Sequence, residues 1–308
     1  MAQPEAWLDV FATPQRLVDI GGGRRLNLCD TGAGPVTVLL AHGFGGRTLS
    51  WHKVQPEVAK FARVISYDRA GFGFSDPGPM PRTVSRTVAD LRAVLAAHGA
   101  ASPYLLVGHS AGSLDVRYFA YRYPDEVAGV VISDGSSEGQ RERFEAAVPY
   151  FMTRVQAAID NFELNATYAE HGRFQTDYAR YLPPPEPHLT DAVNAALRDW
   201  HAKASTWRAM ASEYRSLYGA SSDEVLAVRR DLGALPILML TAGHRDWPGL
   251  AKEDSDKLLT IWRAQQREFA ALSSRGACRE VADSGHSIPF EKPQAVIDAI
   301  REVAETIG

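Results

Sequence analysis

The chain has 308 residues, 45% of them hydrophobic and 23% charged, a balance that suits a globular protein with a large core. Its formal net charge of −4 supplies no clustered positive field, so nucleic acid and anionic membrane are excluded as expected partners and a small neutral substrate fits better. No apolar run approaches the ~18 residues of a membrane span.

The opening MAQPEAWLDVF lacks a basic start followed by a long apolar stretch, so no secretory leader is expected. The first turn signal is Gly21-Gly22-Gly23, between strand-like runs at 16–20 and 24–30, which predicts a hairpin. Further strands are expected at 36–42, 63–68, 104–109, 127–134, 236–242 and 277–283. These runs alternate with segments of helical period, such as Val84, Val88, Leu91, Val94 and Leu95, or Ile297, Ile300 and Val303. That alternation predicts an α/β fold, with a mostly parallel eight-stranded sheet flanked by helices. From 135 to 231 the strand pattern disappears and long helical segments take over, broken by YLPPPEP. The expected organisation is a core of residues 1–134 and 232–308 with 135–231 inserted as a helical lid. Lid aromatics Tyr150, Tyr168, Tyr178, Tyr181, Trp200, Trp207, Tyr214 and Tyr218 are candidates to line an apolar cavity, although plain packing uses the same residues. The two cysteines, Cys29 and Cys278, read as buried free thiols of a cytoplasmic protein, with neither a disulfide framework nor a thiolate metal site.

The stretch LLVGHSAGSL carries the sharpest chemical signal. Gly108-His109-Ser110-Ala111-Gly112 falls where an apolar strand ends and a helical pattern begins, the context of a strained strand-to-helix turn that presents a serine nucleophile. Glycines two residues to either side leave room for close packing. Ser110 would then stand at a helix N-terminus, where unpaired N–H groups favour developing negative charge.

A serine hydroxyl needs a base. Of nine histidines, His286 in DSGHSIPFEKP follows the last strand on a loop above the carboxyl ends of the sheet. His109 and His42 read as architectural, and the other six as surface or structural. The base in turn needs a carboxylate to fix its tautomer. Asp246, in LTAGHRDW after the strand at 236–242, gives the order Ser, Asp, His and is preferred over Asp134, which ends the preceding strand in VISDGSS. The backbone N–H groups of Ala111 and of Phe44, in AHGFGG, are the expected oxyanion donors. The glycine runs lack the spacing of a phosphate loop or dinucleotide fingerprint, and no His/Asp/Glu cluster has zinc-like spacing, so neither a cofactor nor a metal is expected.

HGFGG, YDRAGFGFSD, GHSAGS and SGHSIPFEKP, in that order, resemble the α/β-hydrolase superfamily, specifically its lid-bearing members with a serine nucleophile. The likeness covers residues 16–134 and 232–306 and leaves the lid unmatched. Ser113 stands where many relatives have a second glycine, and an extended helix separates Asp246 from His286. The resemblance implies hydrolysis of a small carboxylic ester through an acyl-serine intermediate. Haloalkane dehalogenases and epoxide hydrolases of this fold carry Asp at the nucleophile position, so Ser110 argues against both. Carbon-carbon bonds, lactones and amides or prolyl peptides stay open on the same residues. A ligand-binding or signalling protein that keeps the fold is the alternative of another class.

Overall fold

Eight apolar runs become the strands of one sheet in the computed structural model, which describes residues 6–176, 179–180 and 182–307. The strands are β1 (Leu17–Asp19), β2 (Arg25–Thr31), β3 (Thr37–Ala41), β4 (Arg63–Tyr67), β5 (Tyr104–His109), β6 (Val127–Ser133), β7 (Ile237–Ala242) and β8 (Gly276–Val281). Their order is β1-β2-β4-β3-β5-β6-β7-β8. The β1–β2 and β2–β4 pairings are antiparallel, and from β4 onward every pairing is parallel. At the hairpin joining β1 and β2, Gly21, Gly22 and Gly23 have φ of 81°, 65° and 72°, conformations that cost a residue without Cβ nothing sterically.

Parallel strands need crossover helices, and the buried runs on both faces of the central strands need covering. Helices α1 (Gln55–Val58), α2 (Val84–His98) and α3 (Gly112–Arg122) follow β3, β4 and β5 respectively. Between β6 and β7 lie α4 (Gln140–Ala147), α5 (Phe151–Glu170), α6 (Asp191–His201), α7 (Ala204–Leu217) and α8 (Ala220–Val228). The chain closes with α9 (Lys252–Ala270), α10 (Ile288–Glu291) and α11 (Pro293–Glu305). One face of the sheet packs Leu39, Leu106 and Met239 against Leu91, Phe119, Trp262 and Phe269 of α2, α3 and α9. The opposite face packs Val38, Leu40 and Val131 against Val58, Val296 and Ile300 of α1 and α11.

Central strands β3 and β5 are buried along their whole length, whereas β8 ends the sheet and is mostly exposed. That edge position corrects one sequence expectation. Cys29 is buried, but Cys278 on β8 is exposed, and both are free thiols. Among the described residues, no helix is long and apolar enough to cross a membrane.

Candidate active site

The strand-to-helix turn after β5 has the backbone its sequence demands. Ser110 has φ +51°, a region that non-glycine residues enter at a steric cost. A Cβ on Gly112 would lie 2.3 Å from the Ala41 carbonyl oxygen and 2.5 Å from that of His42. A Cβ on Gly108 would come within 3.0 Å of the Ser113 Cα. Both glycines therefore let α3 start against β3 and β5, which places Ser110 at the carboxyl edge of the sheet. The turn is tied down by Ser110 N–H to the Ser133 carbonyl at 3.2 Å and by Ser136 N–H to the Ser110 carbonyl at 2.9 Å.

His286, on the loop between β8 and α10, reaches Ser110 across 176 residues of sequence: its Nε2 lies 2.9 Å from Ser110 Oγ. Its Nδ1 lies 2.6 Å from Oδ2 of Asp134. A carboxylate can only accept, so Nδ1 carries the proton and Nε2 is left with a lone pair facing the serine hydroxyl. His109 steadies the loop, donating from Nε2 to the His286 carbonyl at 3.1 Å. Burial, then the neighbouring His286, push the His109 pKa down to about 3.

The carboxylate on His286 is thus Asp134, and the preference for Asp246 is corrected. Asp246 is exposed on the loop after β7, where its charge acts on Lys252. The physical reason lies in the strand ends. Asp134 is the first residue past β6, is fully buried, and has φ +44°. From there it collects donors on both oxygens. Oδ1 accepts from Ala242 N–H and from Trp262 Nε1–H, each at 3.0 Å. Oδ2 accepts from Arg245 Nη1 at 3.1 Å besides His286. Burial works to raise its pKa, but the His286 hydrogen bond and the Arg245 charge outweigh it and hold the carboxyl at about 2.

Arg245, the residue before Asp246, is the one that turns inward, to Asp134. Its guanidinium stacks over Trp262 at 3.9 Å and Trp247 at 4.5 Å from the ring centroids. Burial, and then the Arg245 charge, lower the His286 pKa against the opposing pull of Asp134 and Glu291. Helix α9 completes the support: Trp262 reaches Asp134, and Gln266 Nε2 donates to the Gly135 carbonyl. Arg245, Trp262 and Gln266 are the contributors that sequence reasoning did not find.

The loop after β3 passes beside the serine, since a Cβ on Gly43 would sit 3.1 Å from Ser110 Cβ. Among the described residues, the backbone N–H groups of Phe44 and Ala111 donate to no other protein group. Backbone donors left without a protein acceptor beside a serine are the kind of groups that can receive a developing negative charge. Arg69 fixes this loop from below, donating to the His42 and Gly43 carbonyls at 2.7 and 2.9 Å. Its guanidinium also grips Glu213 of α7 through contacts of 2.9 and 2.6 Å, and Asp115 lies 3.6 Å away. Burial holds the Asp115 carboxyl up at about 7 against the pull of Arg69.

Phe44 itself turns toward the helices between β6 and β7, with ring centroids 4.8 Å from Tyr214 and 5.6 Å from Phe162. Tyr218, Trp200 and Trp207 are buried. Tyr150 is exposed, its hydroxyl donating to Asp254 at 2.5 Å. Tyr178 and Tyr181 lie outside the described residues. No group of three or more His, Cys, Asp or Glu among the described residues could hold a metal ion.

The sequence profile of the family described as alpha/beta hydrolase fold matches residues 36–293. Epoxide hydrolase B of Mycobacterium tuberculosis is 36% identical over 322 residues, covering 85% of this chain and 88% of that protein. The probable transporter efuK of Hormonema carpetanum is 25% identical over 305 residues, and the match spans 94% of this chain but only 42% of efuK. The solved structure of the enol-lactonase from Burkholderia xenovorans LB400 superposes with a TM-score of 0.65 at 19% identity, covering 94% of this chain and 99% of that one; the likeness is one of fold.

Proposed function

Because this chain belongs to the alpha/beta hydrolase fold family, we propose that it is a serine hydrolase cleaving a carboxylic ester of a small, largely apolar substrate. The observation that carries this reading is the unbroken relay Ser110 Oγ, His286 Nε2, His286 Nδ1, Asp134 Oδ2, with links of 2.9 and 2.6 Å. Ser110 Oγ attacks the acyl carbon while its proton passes to His286 Nε2. Asp134 stabilises the imidazolium, and the N–H groups of Phe44 and Ala111 receive the oxyanion. When the tetrahedral adduct collapses, the C–O bond to the alcohol breaks and the alcohol leaves with the proton from Nε2. Water then gives a proton to Nε2, attacks the acyl-serine, and the acid departs as Ser110 Oγ recovers its proton.

Residues 135–231 act in this reading as the lid, with Phe162 and Tyr214 beside Phe44 lining an apolar approach to the acyl carbon. A lactone presents the same acyl carbon, so the substrate class named by the enol-lactonase suits these parts equally. The epoxide named by the Mycobacterium relative suits them less. Opening an epoxide on serine would leave an alkyl ether, which water does not readily hydrolyse, whereas an acyl ester is turned over by the same base.

Incubation with a fluorophosphonate followed by peptide mass spectrometry tests the assignment. One covalent adduct on Ser110 is expected, blocked by prior heat denaturation, and Ser110→Ala should lose ~10⁴ to 10⁶ of ester turnover. Folded protein that takes no label at Ser110 would overturn the reading.

A further inference from the structure

A separate cavity of about 340 Å³ lies between residues 47–52 of the core and residues 183–201, and its lining includes none of Ser110, Asp134 or His286. One wall is apolar, with Leu49, Leu189, Leu197 and Phe290. The polar lining includes Arg47, His52, His188 and His201. Its volume is at the lower end of the ~300–1,000 Å³ of small-molecule sites.

Arg47 is the unusual member. Among the described residues its guanidinium makes no hydrogen bond or ion pair, and its partner is the Trp200 ring, 4.5 Å from the centroid. Asp68 is the carboxylate whose charge acts on it, but Asp68 is already occupied by Thr48 N–H, Asn27 Nδ2 and Phe74 N–H at 2.7, 2.9 and 3.0 Å. Burial accordingly pulls the Arg47 pKa down to about 10. The half-buried guanidinium thus keeps its planar fork of donors open to an acceptor that a ligand in the cavity would bring.

The histidines limit what that ligand can be. His52 Nδ1 is 3.0 Å from the Leu49 carbonyl and His201 Nδ1 is 2.8 Å from the Leu197 carbonyl. A carbonyl only accepts, so both Nδ1 atoms carry the proton and each Nε2 is an acceptor. Burial keeps both rings below the usual histidine pKa, with that of His201 at about 4, so they are neutral at pH 7. Arg198, also in the lining, is turned toward the Ala179 and Pro183 carbonyls at 3.4 and 3.5 Å. Glu186 adds a negative charge at the rim. Among the described lining residues, Arg47 is a cation without a hydrogen-bond acceptor, His52 and His201 are neutral acceptors, and His188 Nδ1 lies 3.8 Å from the Glu186 carboxylate; that balance favours a monoanion over a dianion.

We propose that this cavity is a binding site for a small amphipathic monocarboxylate, its carboxylate held bidentately by Arg47 and its chain against Leu49, Leu197 and Phe290. A planar guanidinium matches a planar carboxylate through parallel hydrogen bonds. The site stands independently of the catalytic reading.

Isothermal titration of the Ser110→Ala protein with sodium hexanoate tests it, since this variant removes catalysis and leaves the cavity intact. Hexanoate should bind one site per chain, and hexanamide and inorganic phosphate should each bind at least ~10-fold more weakly. Arg47→Gln should weaken hexanoate by at least ~10-fold. Should that variant fail to fold, Leu197→Trp in the Ser110→Ala background fills the apolar wall and should also abolish binding. Absence of hexanoate binding, equal affinity for hexanamide or phosphate, or undiminished binding in the folded Arg47→Gln or Leu197→Trp protein would overturn the proposal.

Discussion

Replacing Asp134 by Asn removes one charge and turns one of two acceptor oxygens into a donor. In the structure both oxygens face donors: Ala242 N–H and Trp262 Nε1–H on Oδ1, His286 and Arg245 on Oδ2. Whichever way the amide turns, its NH₂ meets two donors. With the amide oxygen kept toward Ala242 and Trp262, His286 can relieve the clash by moving its proton to Nε2. That tautomer presents N–H, not a lone pair, to Ser110 Oγ, and the base is lost. The expected fall in kcat is ~10⁴, or about 5 kcal/mol of transition-state stabilisation. Stability should fall too, because Arg245 is left without its buried counter-charge; breaking such a pair costs about 3–5 kcal/mol. Asp246→Asn is the matched control. Its side chain is exposed, so turnover should stay within about twofold and melting should be unchanged. The assay is p-nitrophenyl acetate hydrolysis at 25 °C with circular dichroism melts on the same samples. A folded Asp134→Asn protein keeping more than about a tenth of the rate, or Asp246→Asn proving the more damaging, would refute the assignment.

The pH profile follows from the same geometry. His286 must be neutral to act, and its pKa is lowered, so kcat/KM should rise with pH and reach half its plateau below the ordinary histidine value of ~6.5; a midpoint above 7 would contradict this. Arg245→Gln removes a charge that lowers His286 and frees Asp134 to raise it, so the midpoint should move to higher pH, and an unmoved or lower midpoint in folded protein would count against the Arg245 role. Glu213→Gln loosens the grip on Arg69 beneath the Phe44 loop. Since losing an oxyanion donor outright costs ~3 kcal/mol, a partial displacement should lower kcat by ~3- to 30-fold with KM little changed. A rise in KM at constant kcat would show that Glu213 serves substrate binding instead.

The central strands β3, β5, β6 and β7 were legible because each is an apolar run ended by turn chemistry, and their burial follows directly from that pattern. Ser110 and His286 were legible because local sequence sets their surroundings: glycines that permit close approach in one case, a loop at the carboxyl edge in the other. The acid was harder. Strands β6 and β7 are parallel neighbours, with Ser133 opposite Leu240, so their ends open to the same edge and either following loop can offer a carboxylate to one imidazole. What separates them is the distance from the strand. Asp134 directly continues the buried VVIS and is held inside, while Gly243, His244 and Arg245 stand between β7 and Asp246. By that point the chain has turned its aspartate to water and its arginine inward. A carboxylate abutting an apolar strand must be buried, and a buried carboxylate must find donors; that signal was present in VISDGSS. Helix α9 offers a second. Leu258, Trp262 and Phe269 form an apolar stripe, yet Gln266 on the same helix is fully buried. Its Nε2 donates to the Gly135 carbonyl across the interface, whereas the neighbouring Gln265, also buried, finds no partner for its side-chain amide among the described residues. Gly135 immediately follows Asp134, so Gln266 meets the strand end whose carboxylate contacts His286.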